Sequence, residues 1–135
     1  FPSYKVRYID QICGAAISPD IIYLGSMLQY ISDYKPILKK LCALGAETVV
    51  LTDQWVTKSS SFVTSQVNEK GRIIPMWIFN IDAVISHFLG SGYRLAYRTS
   101  NYQPWVRTGE LSPGIAIGDS VNLVFLRVQD SPSPC

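Results

Sequence analysis

The chain has 135 residues, with 12 Lys and Arg against 10 Asp and Glu, one His and a formal charge of +2. So slight a charge excludes a nucleic-acid or anionic-membrane partner recruited by bulk electrostatics, and an apolar fraction of 47% excludes disorder. The charged share is 16%, against about 25% in an average soluble domain, which suggests that a partner or further sequence covers part of the surface. A chain of this length forms one domain over 1–135, with 129–135 as a frayed tail. Cys13, Cys42 and Cys135 form no C-x-x-C pair and no even-numbered framework, so they read as free thiols of a reduced, cytoplasmic protein. The most apolar run, Ile21–Ile31, has 11 residues, too few to span a bilayer, and no signal peptide is visible. Phe1 stands where a complete chain has Met, which reads as a fragment or a processed product.

In chain order, Lys5-Val6-Arg7-Tyr8-Ile9 alternates in the manner of a strand and ends at Asp10. Ile21–Leu24 reads as a buried strand, followed by a strand-to-helix transition over Gly25–Tyr30. A helix starts near Asp33 with Pro36 in its first turn. Tyr34, Ile37, Leu38 and Leu41 form its apolar stripe, Lys35, Lys39 and Lys40 face away, and Gly45 stops it. Thr48–Thr52 is the next buried strand. A second helix is capped by Asn80, carries the stripe Ile81, Val84, Ile85, Phe88, Leu89, and ends at Gly90 and Gly92. Strands over Tyr93–Tyr97 and Val121–Val128 close the pattern.

Strand, helix, strand, helix, strand is an α/β order. The expected sheet is mostly parallel with an antiparallel C-terminal hairpin. Two long connections, Asp53–Phe79 and Arg98–Ser120, join the short loop from Gly25 in leaving the C-terminal ends of strands, where open α/β sheets bind ligands. Together these loops hold Tyr30, Trp55, Trp77, Tyr102 and Trp105. No Gly-rich phosphate loop of either common kind and no G-x-S-x-G elbow occurs. The lone His87 lies off the stripe of the second helix, where it reads as solvent-facing, so metal and triad hydrolysis are not indicated.

The segment Pro19-Asp20-Ile21-Ile22-Tyr23-Leu24-Gly25-Ser26-Met27-Leu28-Gln29-Tyr30-Ile31 resembles the fourth strand and following loop of class I S-adenosylmethionine-dependent methyltransferases. It is most similar to a bacterial methyltransferase family associated with surface-polysaccharide genes. The likeness continues through Leu51-Thr52-Asp53, Gln66, Pro75-Met76-Trp77-Ile78-Phe79, Gly92-Tyr93-Arg94-Leu95 and Leu123-Val124-Phe125-Leu126-Arg127, covering about Lys5 to Arg127. Where that family has Asp-Arg-Thr-Pro, this chain has Asp53-Gln54-Trp55-Val56. The resemblance implies a Rossmann-like sheet whose first two strands, with their Gly-rich loop, are missing.

It further implies S-adenosylmethionine as cofactor, with Asp10 near the adenine and Ser26 and Met27 near the methionine and methyl-transfer region. Gln29, Tyr30 and Trp77 fall on the acceptor side, and a small molecule or glycan is the implied acceptor. Asp53, a carboxylate at the C-terminal end of a buried strand, is the candidate catalytic base. Structural roles compete at each position. Asp10 and Asp53 could serve turns, Gln29 and Tyr30 could anchor the loop, and Trp77 with Phe79 could form a staple before Asn80. The alternative to an enzyme is a non-catalytic α/β binding or assembly domain. In either case the free edge of Ile21–Leu24 calls for cover, by a second copy or by a missing N-terminal segment.

Overall fold

Ten consecutive residues, Thr48–Thr57, form the longest described strand and the axis of the fold. The structure, a computed structural model, describes residues 18–69, 71–101 and 119–128, the side chains of 68 and 69 excepted. The expected strand at Lys5–Ile9, with Asp10, and the tail at 129–135 lie outside them. In order come β1 (Ile21–Gly25), a 3-10 turn (Leu28–Tyr30), α1 (Tyr34–Ala43), β2 (Thr48–Thr57), β3 (Phe62–Glu69), β4 (Arg72–Asn80), α2 (Ile81–Gly90), β5 (Tyr93–Asn101) and β6 (Ser120–Arg127).

The six described strands form one open, mixed sheet. On one edge of β2, β1 pairs in parallel with Thr48–Thr52, and β4 pairs in parallel at Val56 and Thr57. On its other edge lies β6, antiparallel to β2 and to β5. The pairing of β3 with β4 is antiparallel too. The sheet is therefore mostly antiparallel, not mostly parallel as the helix–strand alternation predicts. Two features cause the difference. The connection read as a loop over Asp53–Phe79 contains the second half of β2, so that Asp53 lies at a bulge inside the strand rather than at its end, and also the β3–β4 hairpin. In addition, β6 inserts between β2 and β5, running against both. The expected antiparallel finish of β5 and β6 is present. Among the described residues β1 has a single partner strand.

Alternate residues of the strands bury one face under both helices. Ile22, Leu24, Val49, Leu51, Leu123 and Phe125 join Leu38 and Leu41 of α1 and Val84 and Phe88 of α2 in one core. Phe88 stacks on Phe125 at 4.2 Å between ring centroids and meets Tyr93 edge-on at 6.0 Å. Leu89, expected in the α2 stripe, is 50% exposed instead. His87 is the converse case. It is half-buried against the edge of Phe88, and its Nε2 is buried with no partner among the described residues, so it does not face solvent. Position 87 borders Phe88 on the flank of the stripe, where the ring gains cover.

The helix ends follow from local chemistry. Asn80 Oδ1 accepts the Ala83 N–H at 2.7 Å, as an N-cap does. The same side chain donates to the Lys58 and Ser59 carbonyls, which ties the β2–β3 turn to the start of α2. At the end of α1, Gly45 has φ +69, and a Cβ there would sit 2.5 Å from Arg127 Nη1. That guanidinium donates to the Gly45 carbonyl at 2.7 Å, linking α1 to the last residue of β6.

Two outcomes are expected. Truncation by Phe88→Ala removes the ring shared by Phe125 and Tyr93 and should cost about 3–5 kcal/mol in urea unfolding. Burial pushes the Cys42 thiol above its ordinary pKa, against the opposing pull of a Ser91 hydrogen bond. The neutral thiol is thus favoured in the fold, so this contribution is complete below the ordinary thiol pKa of about 8.5. It is lost as pH rises through the raised value. Unfolding followed across alkaline pH should show stability falling in the parent chain and falling less in Cys42→Ala.

Candidate functional site

At Gly25 the ladder between β1 and β2 ends, opposite Thr52. The next residue of each strand then turns left-handed: Ser26 has φ +46 and Asp53 has φ +54. Such backbone is disfavoured for any residue with a Cβ, and outliers of this kind collect at functional sites. Here the Ser26 N–H donates to the Thr52 carbonyl at 3.1 Å, which fixes the turn to β2. The Ser26 hydroxyl donates to Asp53 Oδ2 at 3.4 Å.

A bulge accounts for Asp53. The β2–β6 register runs Leu51 to Leu123 and resumes at Gln54 to Val121, so Thr52 and Asp53 face the single residue Asn122. The Asp53 N–H donates to Asn122 Oδ1 at 2.9 Å, and Asn122 Nδ2 donates to Thr99 Oγ1 at 3.0 Å on β5. Tyr23 and Thr52 share a hydroxyl–hydroxyl hydrogen bond of 3.0 Å on the face away from the helices. The Tyr23 ring crosses over Gly25, where an added Cβ would meet it at 2.9 Å. A side chain at 25 would push that ring off Thr52.

Two buried amides border the same turn. Gln54 is 2% exposed; its Nε2 donates to the Thr52 carbonyl at 2.6 Å, and its Oε1 has no partner among the described residues. Gln29, in the 3-10 turn just after Met27, is also 2% exposed, with a buried Oε1 that has no partner among the described residues. Met27, next to Ser26 in the chain, is half exposed.

The second group of residues belongs to the β3–β4 hairpin. Tyr30 Oη donates to Gln66 Oε1 at 2.7 Å, and Trp77 Nε1 donates to the Ser32 carbonyl at 3.2 Å. The Trp77 ring meets Tyr34 edge-on at 5.3 Å and stacks on Phe79 at 6.5 Å. The loop after β1 and the hairpin thus lie on one edge of the sheet, as their departure from strand ends predicts. Asn101 and Ser120, which flank 102–118, pair at that edge as well. Asp10, Tyr102 and Trp105 fall outside the described residues.

Of the residues read as site candidates, Ser26 and Asp53 are in contact, Met27 and Gln29 adjoin them in the chain, and Tyr30 and Trp77 tie the hairpin to the loop. Sequence reasoning passed over Asn122, Thr99, Tyr23 and Gln54. An Asn within an otherwise apolar strand is the only signal that pointed to one of them. No group of three His, Cys, Asp or Glu among the described residues could hold a metal. A cavity of about 440 Å³ lined by Asp20, Glu47 and Arg127 opens at the opposite edge, where β1 and β2 begin, away from this constellation. No helix of the described chain is long and apolar enough to cross a membrane. No family model matches the chain, and no curated protein matches it.

Backbone strain gives a direct check on this site. Ser26→Val places a β-branched side chain at φ +46 and should cost about 1–3 kcal/mol, whereas Ser26→Gly should stay within about 0.5 kcal/mol of the parent, because glycine adopts that region freely. Chemical denaturation of the two variants measures both.

Proposed function

We propose that the chain is part of an enzyme that transfers a methyl group from S-adenosylmethionine to a small-molecule or glycan acceptor. The observation that carries this reading is the contact of Ser26 with Asp53, two left-handed residues where the parallel ladder of β1 with β2 ends, at the C-terminal edge of β1. That edge of an open α/β sheet is where ligands bind. A Rossmann-like sheet of the class I methyltransferase kind is the finer fold reading. The parallel β1–α1–β2 unit and the antiparallel β5–β6 finish support it.

The residues at this edge suit the cofactor. Among the described residues the buried carbonyl oxygens of Gln29 and Gln54 have no partner, and the N–H donors of an amino-acid or adenine group would suit them. Met27 offers an exposed apolar side chain beside Ser26. When bound, S-adenosylmethionine supplies a methyl group already activated on a sulfonium, so the protein's part is alignment and the exclusion of water. Asp53 would take up the proton of an acceptor hydroxyl, its carboxylate steadied by the Ser26 hydroxyl. Tyr30, 42% exposed, offers a ring face on which a sugar can stack. Trp77 backs it as part of the wall.

A binding or assembly role is the second reading, and one observation favours it. The face of β1 turned away from the helices exposes Ile21 and Tyr23, and among the described residues β1 has one neighbour. Both features suit cover by a second copy or by further sequence.

Thermal unfolding with S-adenosylmethionine separates the readings. A cofactor at about 100 times its Kd adds about 2.7 kcal/mol, a rise of several degrees in Tm. Asp53→Asn should keep that rise while lowering turnover on an accepted substrate by about 10²–10⁴-fold, the usual worth of a general base. An unchanged Tm in the parent chain would count against the enzyme reading, and a concentration-dependent dimer mass would favour assembly.

A further inference from the structure

We propose that Asn122 is a positioning residue, which clamps Asp53 in its left-handed conformation and thereby aims its carboxylate at Ser26. The proposal rests on the reading of Asp53 as the acceptor-side carboxylate. Its argument begins with the ladder. In a regular antiparallel pair, residue 53 would take its place in the hydrogen-bonding pattern with β6. The bulge sets two β2 residues against one β6 residue, so Asp53 loses that place.

Its N–H donates instead to a side chain, the Oδ1 of Asn122, at 2.9 Å. The amide is held in the required orientation from the other side, because Nδ2 donates to Thr99 Oγ1 at 3.0 Å. Thr99 is the residue directly opposite Asn122 in the β5–β6 register. Three strands thus contribute to one backbone conformation.

Chemistry at position 122 is restricted accordingly. Leu or Val would suit a strand as well or better, but neither can accept the Asp53 N–H. Without that acceptor the bulge would be free to relax toward regular β geometry. Because side chains alternate with period two along a strand, such a relaxation turns the Asp53 side chain toward the other face. The carboxylate would then leave Ser26, while Ser26, Met27 and Gln29 on the preceding loop stay in place. Loss of Asn122 should therefore lower turnover and leave cofactor binding intact.

The test uses the full chain and has two arms. In the first, amide hydrogen exchange of Asp53 and thermal unfolding are compared in the parent, Asn122→Ala, Asp53→Gly and the double variant. Glycine adopts a φ of +54 without strain, so the clamp has less to hold in that background. The expectation is that Asn122→Ala reduces Asp53 amide protection by about tenfold or more, the range of one lost hydrogen bond. Its drop in Tm should shrink to less than half in the Asp53→Gly background. Unchanged amide protection, or drops in Tm that simply add, would overturn the clamp.

In the second arm, methyl transfer by Asn122→Ala should show kcat lowered at least tenfold with KM for S-adenosylmethionine within twofold of the parent. A merely structural role would move neither parameter alone, and an unaltered kcat would also overturn the proposal. Failure of the parent chain to transfer a methyl group would remove the reading of the site, and the first arm would still decide the clamp.

Discussion

The fold depends on the main chain of β2 where it passes Thr52 and Asp53. Up to Thr52 one edge of the strand carries β1; from Val56 the same edge carries β4. No straight strand could serve both neighbours at full length on one edge, since each would occupy the same row of N–H and C=O groups. The bulge resolves the conflict by bending β2 between the two, and β6 follows the bend on the opposite edge with a shifted register. The residue that absorbs the distortion is Asp53, at φ +54. A carboxylate, a strained backbone and the divergence of two strands therefore coincide at one position.

This coincidence explains which parts of the fold were legible in the sequence. The helices declared themselves through stripes and caps, because 3.6-residue periodicity survives in a short segment. For β1 and the first half of β2, runs of β-branched and aliphatic residues sufficed. The second half of β2 was hidden by the bulge itself. Val49 and Leu51 face the core, and after the extra residue the inward positions become Gln54 and Val56. That slip of one residue reads as the end of a strand. The hairpin was hidden differently: β3 has only Phe62, Val63 and Val67 as apolar residues, and Pro75 lies within β4. Pro75 is tolerated because it pairs with Ser65 on one side, and β4 reaches β2 only at its last two residues.

The site was legible to the same extent. Ser26 follows the last residue of β1, and position alone marks such a residue in an α/β order; Asp53 carries the same mark only if its strand ends at Thr52, whereas β2 runs on to Thr57. The supporting residues carry no such mark. Asn122 acquires its role from a register with β2 some 70 residues earlier in the chain, and Thr99 from a register with β6. Neither pairing has a local sequence signature, because antiparallel partners are chosen by face and turn geometry over the whole sheet. Gln54 belongs with them: it was read as a departure from a family pattern, and it proves to be a buried amide folded back on the carbonyl that holds Ser26.

The two groups of site residues divide the work by what their polar atoms already do. Trp77 has its one donor committed to the Ser32 carbonyl and its ring packed against Tyr34 and Phe79. It can offer a ligand a rigid wall but no hydrogen bond. Tyr30 has its hydroxyl proton committed to Gln66, leaving its exposed ring as its contribution. These ties hold the hairpin against the loop after β1 at two points, so the wall is fixed relative to Ser26. Around the bulge the balance is reversed. Among the described residues the Asp53 carboxylate has one long hydrogen bond, from Ser26, and Gln29 and Gln54 keep buried acceptors unpaired. Polar capacity left uncommitted in so ordered a setting costs stability.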